Sequence, residues 1–156
     1  MWVSLRYLEQ LEPFQTRLAD TTEVNTPNGM LTSVFGPSFW KCLHLVSFNY
    51  PHAPTRCDKE RHRSWFLLIG HILPCTHCRE NFTQNLKDTG FSDAIFESRD
   101  SFSRYCWQLH NHINKMLTKP DGPPYDDVKA EYDSYRSQCS VDPFRAEQGC
   151  VLPLYM

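Results

Sequence analysis

Three prolines limit the elements this chain can build. Pro51, Pro74 and Pro120 each close a stretch in which apolar residues recur every three or four positions. A proline inside a helix removes a hydrogen bond and crowds the preceding turn, so such patterns end at or before it. Upstream of Pro51, from Gly36-Pro37-Ser38 onward, Phe39, Leu43, Val46 and Tyr50 follow helical spacing. Upstream of Pro74 the stripe is Trp65, Leu68, Ile69 and Ile72, and upstream of Pro120 it is Phe102, Cys106, Leu109, Ile113 and Leu117. Ser98 suits the N-cap of that last helix, with Asp100 in its first turn and Lys119-Pro120 at its close. A further helix should start at Cys75, because Phe82 and Leu86 continue the face set by Cys75 and Cys78, and a short fifth is expected over 128–136.

No period-two alternation competes with this reading, and no internal repeat is visible. The expected fold class is all-α: a four-helix bundle with a short fifth helix. Residues 35–136 form the expected domain. Residues 1–34 read as an N-terminal extension, amphipathic at Leu5, Leu8 and Leu11 and then polar, with Pro27-Asn28-Gly29 as a turn. Residues 137–156 read as a cysteine-containing C-terminal tail.

With 40% hydrophobic and 13% aromatic residues, the 156-residue chain can fill a core. Its net charge of −2, without a basic run, predicts no nucleic-acid partner. The most apolar stretch, 65–73, is too short to span a bilayer, which predicts no membrane partner. The first residues are interrupted by Arg6, Glu9 and Glu12, so no cleavable signal is expected.

The cysteines carry the chemistry. There are seven, at 42, 57, 75, 78, 106, 139 and 150, and the odd count leaves at least one unpaired within the chain. Cys75-Thr76-His77-Cys78 places two thiols three apart at a helix start. The positive end of the helix lowers a thiol pKa and favours the attacking thiolate in disulfide exchange. Two other readings fit the pair alone. One is a zinc-stabilised helical interaction module using Cys75, Cys78 and histidines such as His71, His77 or His110, although no second cysteine pair completes a zinc set. The other is a pair of inert core thiols; a flavin-free thiol carrier is a third reading of the chain as a whole.

A second constellation favours redox chemistry. His110 and Asn114 lie four apart on one expected helix, as do Trp40 and His44 on another. An aromatic with paired polar groups on neighbouring helices suits a planar, hydrogen-bonding cofactor inside a bundle. Taken singly, each is a plain core aromatic or a satisfied structural histidine.

In order along the chain stand Gly36-Pro37-Ser38-Phe39-Trp40, Leu43-His44, Tyr50-Pro51, Leu73-Pro74-Cys75-Thr76-His77-Cys78 and Ser98-Arg99. Cys106 follows, then His110-Asn111, Asn114, Leu117 and Lys119-Pro120. This set resembles the Erv/ALR family of FAD-linked sulfhydryl oxidases. The resemblance implies FAD at the mouth of the bundle, contacted by Trp40, His44, His110, Asn111, Asn114, Lys115 and Lys119. Gly36 and Ser38 would lie near it, with Tyr132 from the fifth helix. Cys78 would be the sulfur beside the flavin and Cys75 the one attacked by a protein dithiol substrate. Molecular oxygen would take the electrons, giving hydrogen peroxide, and no metal is implied. A homodimer built on the first helices is also implied. So is a viral, cytoplasmic setting, with the mitochondrial intermembrane space as the alternative.

The chain departs from the family pattern in three places. The family often pairs the cysteine equivalent to Cys106 with one just after the Lys-Pro, and Tyr125 stands about there instead. Tyr132 and Tyr135 occupy positions where the family has tryptophans. Residues 1–34 contain no cysteine, so no shuttle pair lies there; Cys139 and Cys150 in the tail are the first candidates for one, with a structural staple as the alternative. Cys42 is expected to pack in the core, and Cys57 to sit in a loop as an exposed thiol or an intersubunit bridge. The Asn81-Phe82-Thr83 sequon is expected to carry no function.

Overall fold

The computed structural model describes residues 29–136. Five α-helices account for most of it: α1 Thr32–Asn49, α2 Arg56–Ile72, α3 Thr76–Asp88, α4 Arg99–Met116 and α5 Tyr125–Ser134. A 3-10 turn at Asp93–Phe96 lies between α3 and α4. Among the described residues there is no strand, so the all-α expectation holds. Cys139 and Cys150 lie outside the described residues.

Side chains close to each helix start explain the boundaries. Before α2, Thr55 Oγ1 accepts from the Asp58 N–H at 3.2 Å while Asp58 Oδ2 accepts from the Thr55 N–H at 2.9 Å. Ser98 and Ser101 make the same reciprocal pair at the start of α4, at 3.1 and 3.0 Å. Each such box satisfies two donors that the first turn leaves free. The predicted cap at Ser98 is therefore realised.

Two helices begin earlier than expected. α1 starts at Thr32, inside the segment read as extension, and takes Pro37 into its second turn. The carbonyl that Pro37 leaves without an intrahelical donor belongs to exposed Ser33, where water can satisfy it. α5 starts at Tyr125 because that ring is buried, its Oη lying 2.8 Å from Ser103 Oγ and the Arg104 guanidinium 3.8 Å from the ring centre. The Cys57 assignment is also corrected: it stands in the first turn of α2, not in a loop, and its thiol is exposed.

The core forms where α1, α2, α3 and α4 meet around Leu43, Tyr50, Phe66, Ile69, Phe96, Phe102, Cys106 and Leu109. Full burial of side chains such as Phe66 or Phe102 is worth about 1.5–3 kcal/mol each. On α2 the buried face differs from the expected stripe. Leu68 is 40% and Ile72 73% exposed, while Phe66, Ile69 and Gly70 point inward. Gly70 explains the rotation, since a Cβ there would lie 2.2 Å from the Phe82 ring. α3 therefore rests directly on the α2 backbone, and that approach chooses the face.

Cys42 corrects another expectation. It is exposed, because the inward face of α1 is Leu43, His44, Ser47 and Phe48. Cys106 is the buried thiol, unpaired among the described residues. Burial drives its pKa upward, and the Ser47 hydroxyl only partly opposes this.

Candidate active site

Cys75 and Cys78 form a disulfide, their Cα atoms 5.2 Å apart. Cys75 is the N-cap of α3, and its sulfur accepts from the Cys78 N–H at 3.2 Å. Sulfur therefore does here what a serine or aspartate oxygen usually does at a helix start. The positive helix end stabilises thiolate at either position once the bond opens. Arg79 steadies the turn by donating to the Leu73 carbonyl and, at 3.1 Å, to Thr76 Oγ1.

The two sulfur-bearing residues differ in burial, in the opposite sense to their expected roles. Cys75, expected to meet incoming thiolates, is only 7% exposed, whereas Cys78 is half-buried against the main core. A backbone segment lies on Cys75. Gly29 pairs with it in an isolated antiparallel bridge, and the Met30 N–H donates to the Pro74 carbonyl at 2.6 Å.

Trp40 borders the same core as Cys78. Its indole is stacked on the His110 imidazole, with ring centres 4.0 Å apart and planes 8° from parallel. His110 Nδ1 lies 3.0 Å from His44 Nε2, so one proton is shared between the two rings. Burial, reinforced for His44 by His110 and for His110 by Lys119, lowers both pKa values to about 4. Both imidazoles are neutral at pH 7.

The pair leaves a polar atom unused. His44 Nδ1 is buried and has no hydrogen-bond partner. In one tautomer it is an empty acceptor and in the other an unpaired donor. Either form costs about 1–3 kcal/mol unless something polar meets it. A planar ligand carrying ring nitrogens and carbonyls has the matching chemistry.

The aromatic wall continues onto α5. Tyr132 lies 5.5 Å from His44, centre to centre, and stacks on Phe48 at 5.0 Å and 10°. Beyond it, Leu45, Phe48, Tyr132, Tyr135 and Arg136 line a groove of about 390 Å³. Arg136 closes one side by donating to the Phe48 carbonyl at 2.8 Å. Phe48 and Arg136 were absent from the expected site. Phe48 was detectable, standing four residues after His44 and eight after Trp40 on one helix face. No sequence signal marked Arg136.

Trp40, His44, His110 and Tyr132 thus converge, with the charge of Lys119 felt at His110. Asn114 is half-buried, one turn beyond His110. Other expected contacts are engaged elsewhere. Asn111 Oδ1 accepts from the Gly122 N–H at 2.9 Å and holds the loop after α4. Lys115 Nζ lies 3.8 Å from Asp121 at the surface. Gly36 has open space beside its backbone, and Ser38 is exposed. Among the described residues no three His, Cys, Asp or Glu side chains cluster as a metal site would need. His77 pairs instead with Glu80 at 3.3 Å.

The described helices are not long and apolar enough to cross a membrane. A family model described as Erv1 / Alr family matches residues 37–133. The chain is 33% identical over 87 residues to the probable FAD-linked sulfhydryl oxidase R368 of Acanthamoeba polyphaga mimivirus, covering 53% of this chain and 61% of that protein. It is likewise 33% identical over 85 residues to the mitochondrial FAD-linked sulfhydryl oxidase ERV1 of Saccharomyces cerevisiae, covering 54% of this chain and 43% of that protein. The chain thus spans about half the length of these curated relatives. The FAD-binding domain of yeast Erv1, a solved structure, superposes with a TM-score of 0.61 at 28% identity, covering 67% of this chain and 96% of that one.

Proposed function

The chain belongs to the Erv1 / Alr family, and from that membership we propose that it is a FAD-linked thiol oxidase whose electron entry point is the Cys75–Cys78 disulfide. The observation that carries this reading is that the disulfide at the α3 N-terminus and the Trp40–His110 stack border one core.

The unpartnered His44 Nδ1 supports a planar polar ligand, and FAD fits that demand. Trp40, His44, His110, Asn114, Lys119 and Tyr132 would hold it, with Gly36, Ser38, Asn111 and Lys115 shaping the surroundings. Bound flavin would accept two electrons and be reoxidised by molecular oxygen, with hydrogen peroxide as product. The protein performs the exchange chemistry. A thiolate of a protein dithiol attacks the Cys75 sulfur, a mixed disulfide forms, and Cys78 leaves as thiolate. The second substrate thiol then displaces Cys75, closing the substrate disulfide. The helix dipole stabilises the thiolate at each stage.

A homodimer belongs to the same proposal. Val34 and Leu45 on α1 and Leu68 and Ile72 on α2 are apolar and 40–73% exposed, an unusual load for a surface. The viral setting is likewise proposed, supported by the mimivirus relative. If Cys139 and Cys150 act as a shuttle, replacing both by serine slows oxidation of a large protein dithiol; unchanged turnover leaves them as a staple.

The purified protein is expected to be yellow, with a flavin absorbance bleached by a dithiol under nitrogen and restored by air. Cys78→Ser should keep the colour and lose the bleaching. A colourless protein whose helicity falls with a chelator would instead support the zinc module, and a colourless, chelator-insensitive one the thiol carrier.

A further inference from the structure

The backbone at Cys75 is extended, φ −122° and ψ 120°, although the residue stands at the threshold of a helix. Beside it runs Gly29-Met30, which forms an isolated antiparallel bridge with it, the Met30 N–H donating to the Pro74 carbonyl. Glycine is required in that segment. Gly29 has φ +71°, and a Cβ there would lie 2.2 Å from the Pro74 oxygen. The Met30 and Leu31 side chains meanwhile point to solvent, 60% and 71% exposed. The segment is thus held by its backbone, with its side chains contributing little.

We propose that the Pro74–Cys75 backbone is the docking edge for an extended, cysteine-bearing segment of the substrate, and that Gly29-Met30 is an internal strap occupying that edge until substrate displaces it. The inference rests on the thiol oxidase reading and adds how that site recognises its partner. It accounts for a conflict in the geometry. Attack has to occur in line with the disulfide, yet Cys75 is covered. A pairing edge beside a sulfur serves an incoming peptide well, because one main-chain hydrogen bond sets the peptide's register independently of its sequence. The strap shows that the edge accepts a backbone N–H. It also keeps small thiols away from Cys75 between turnovers.

The reaction is exchange and needs no further oxidant. A peptide thiolate attacks the Cys75 sulfur, the Cys75–Cys78 bond breaks, and Cys78 leaves as thiolate. The second peptide thiol then releases Cys75. The peptide is oxidised by two electrons, and the Cys75–Cys78 pair is reduced.

The test follows reduction of the Cys75–Cys78 disulfide by mass spectrometry under nitrogen, with an unstructured peptide dithiol as the probe. Neither flavin nor oxygen turnover is read, so failure of the oxidase reading cannot mimic failure of this one. Gly29→Ala and Met30→Pro loosen the strap by independent means, the first sterically and the second by removing the donor. Circular dichroism confirms that each remains folded. Both variants should accelerate reduction by about fivefold or more, the scale of one lost net backbone hydrogen bond. N-methylation of the peptide backbone beside its cysteine should remove most of that gain. Unchanged rates in both variants would overturn the strap, and equal rates for methylated and unmethylated peptides would overturn the docking edge.

Discussion

The Trp40 indole lies flat on the His110 imidazole, 4.0 Å away, and so joins α1 to α4 with one stacked pair. His110 in turn reaches His44, 3.0 Å away, back on α1. The two helices carrying the proposed cofactor contacts are therefore fastened to each other by the contact residues themselves.

Trp40→Ala should lower the flavin bound per protein by more than half while leaving the far-UV spectrum intact. Trp40 is partly buried at the border of the core, and Leu43, Cys106 and Leu109 still pack α1 against α4 without it. Removing the stack costs about 0.5–1.5 kcal/mol beyond area burial. The flavin-to-protein absorbance ratio after gel filtration checks this.

Stability should fall as pH drops from about 6.5 towards about 4. In the folded state His44 and His110 titrate near 4, below their ordinary 6.5. The unfolded chain takes up protons in that window while the folded one does not, so the imidazoles' contribution is fully present above 6.5 and lost on acidification. The pair shares one environment, and its combined effect is on the order of 3 kcal/mol. Asp58, Asp100 and Asp133, held below the usual carboxylate range by hydrogen bonds, act only at lower pH. Urea midpoints at pH 7 and pH 4.5 should differ clearly, and His44→Asn with His110→Asn should flatten the slope.

Gly70→Ala should destabilise the protein by about 1–3 kcal/mol through overpacking against Phe82. Trimming the neighbour should rescue part of the loss. A double-mutant cycle with Phe82→Leu, read by thermal melting, measures the coupling.

Native alkylation should separate the three thiols that are unpaired among the described residues. Cys42 and Cys57 are exposed and should react within the first minutes, whereas buried Cys106, its pKa raised by desolvation, should react only after unfolding. Peptide mapping after a timed alkylation decides it. Early labelling of Cys106 would contradict the packing of α4 against α1.

Charging the exposed face of α2 should split the proposed homodimer. Leu68→Glu with Ile72→Glu places two carboxylates on an apolar surface without touching the core. Sedimentation velocity should show a monomer with unchanged helicity.

Local features were readable because they close within a few residues. Ser98 caps α4 through Ser101, and the Cys75 sulfur caps α3 through Cys78; both are contacts three positions apart. Pairs at four-residue spacing, Trp40 with His44 and His110 with Asn114, also survive folding as shared faces. The α2 stripe misled because Leu68 and Ile72 are as apolar as Phe66 and Ile69, and periodicity cannot rank equal candidates. Cys42 misled for a similar reason, since a small thiol fits a core or a surface. Phe48 followed the same spacing as His44 but carried no polar atom to draw notice.

By itself, then, the sequence determined the helical class, the ends of α1 and α2 just before Pro51 and Pro74, the Ser98 cap that starts α4, and the placement of a cysteine pair at a positive helix end; α4 stops at Met116, ahead of the predicted close at Lys119-Pro120. Backbone hydrogen bonds, proline geometry and the helix dipole are short-range, so a few neighbouring residues suffice to decide them. Tertiary structure alone decided that Gly70 admits the Phe82 ring and turns α2, that His44 meets His110 and leaves Nδ1 unpartnered, and that Gly29-Met30 crosses onto Cys75. Those outcomes depend on how closely distant segments approach. Close packing settles that distance for the whole molecule at once.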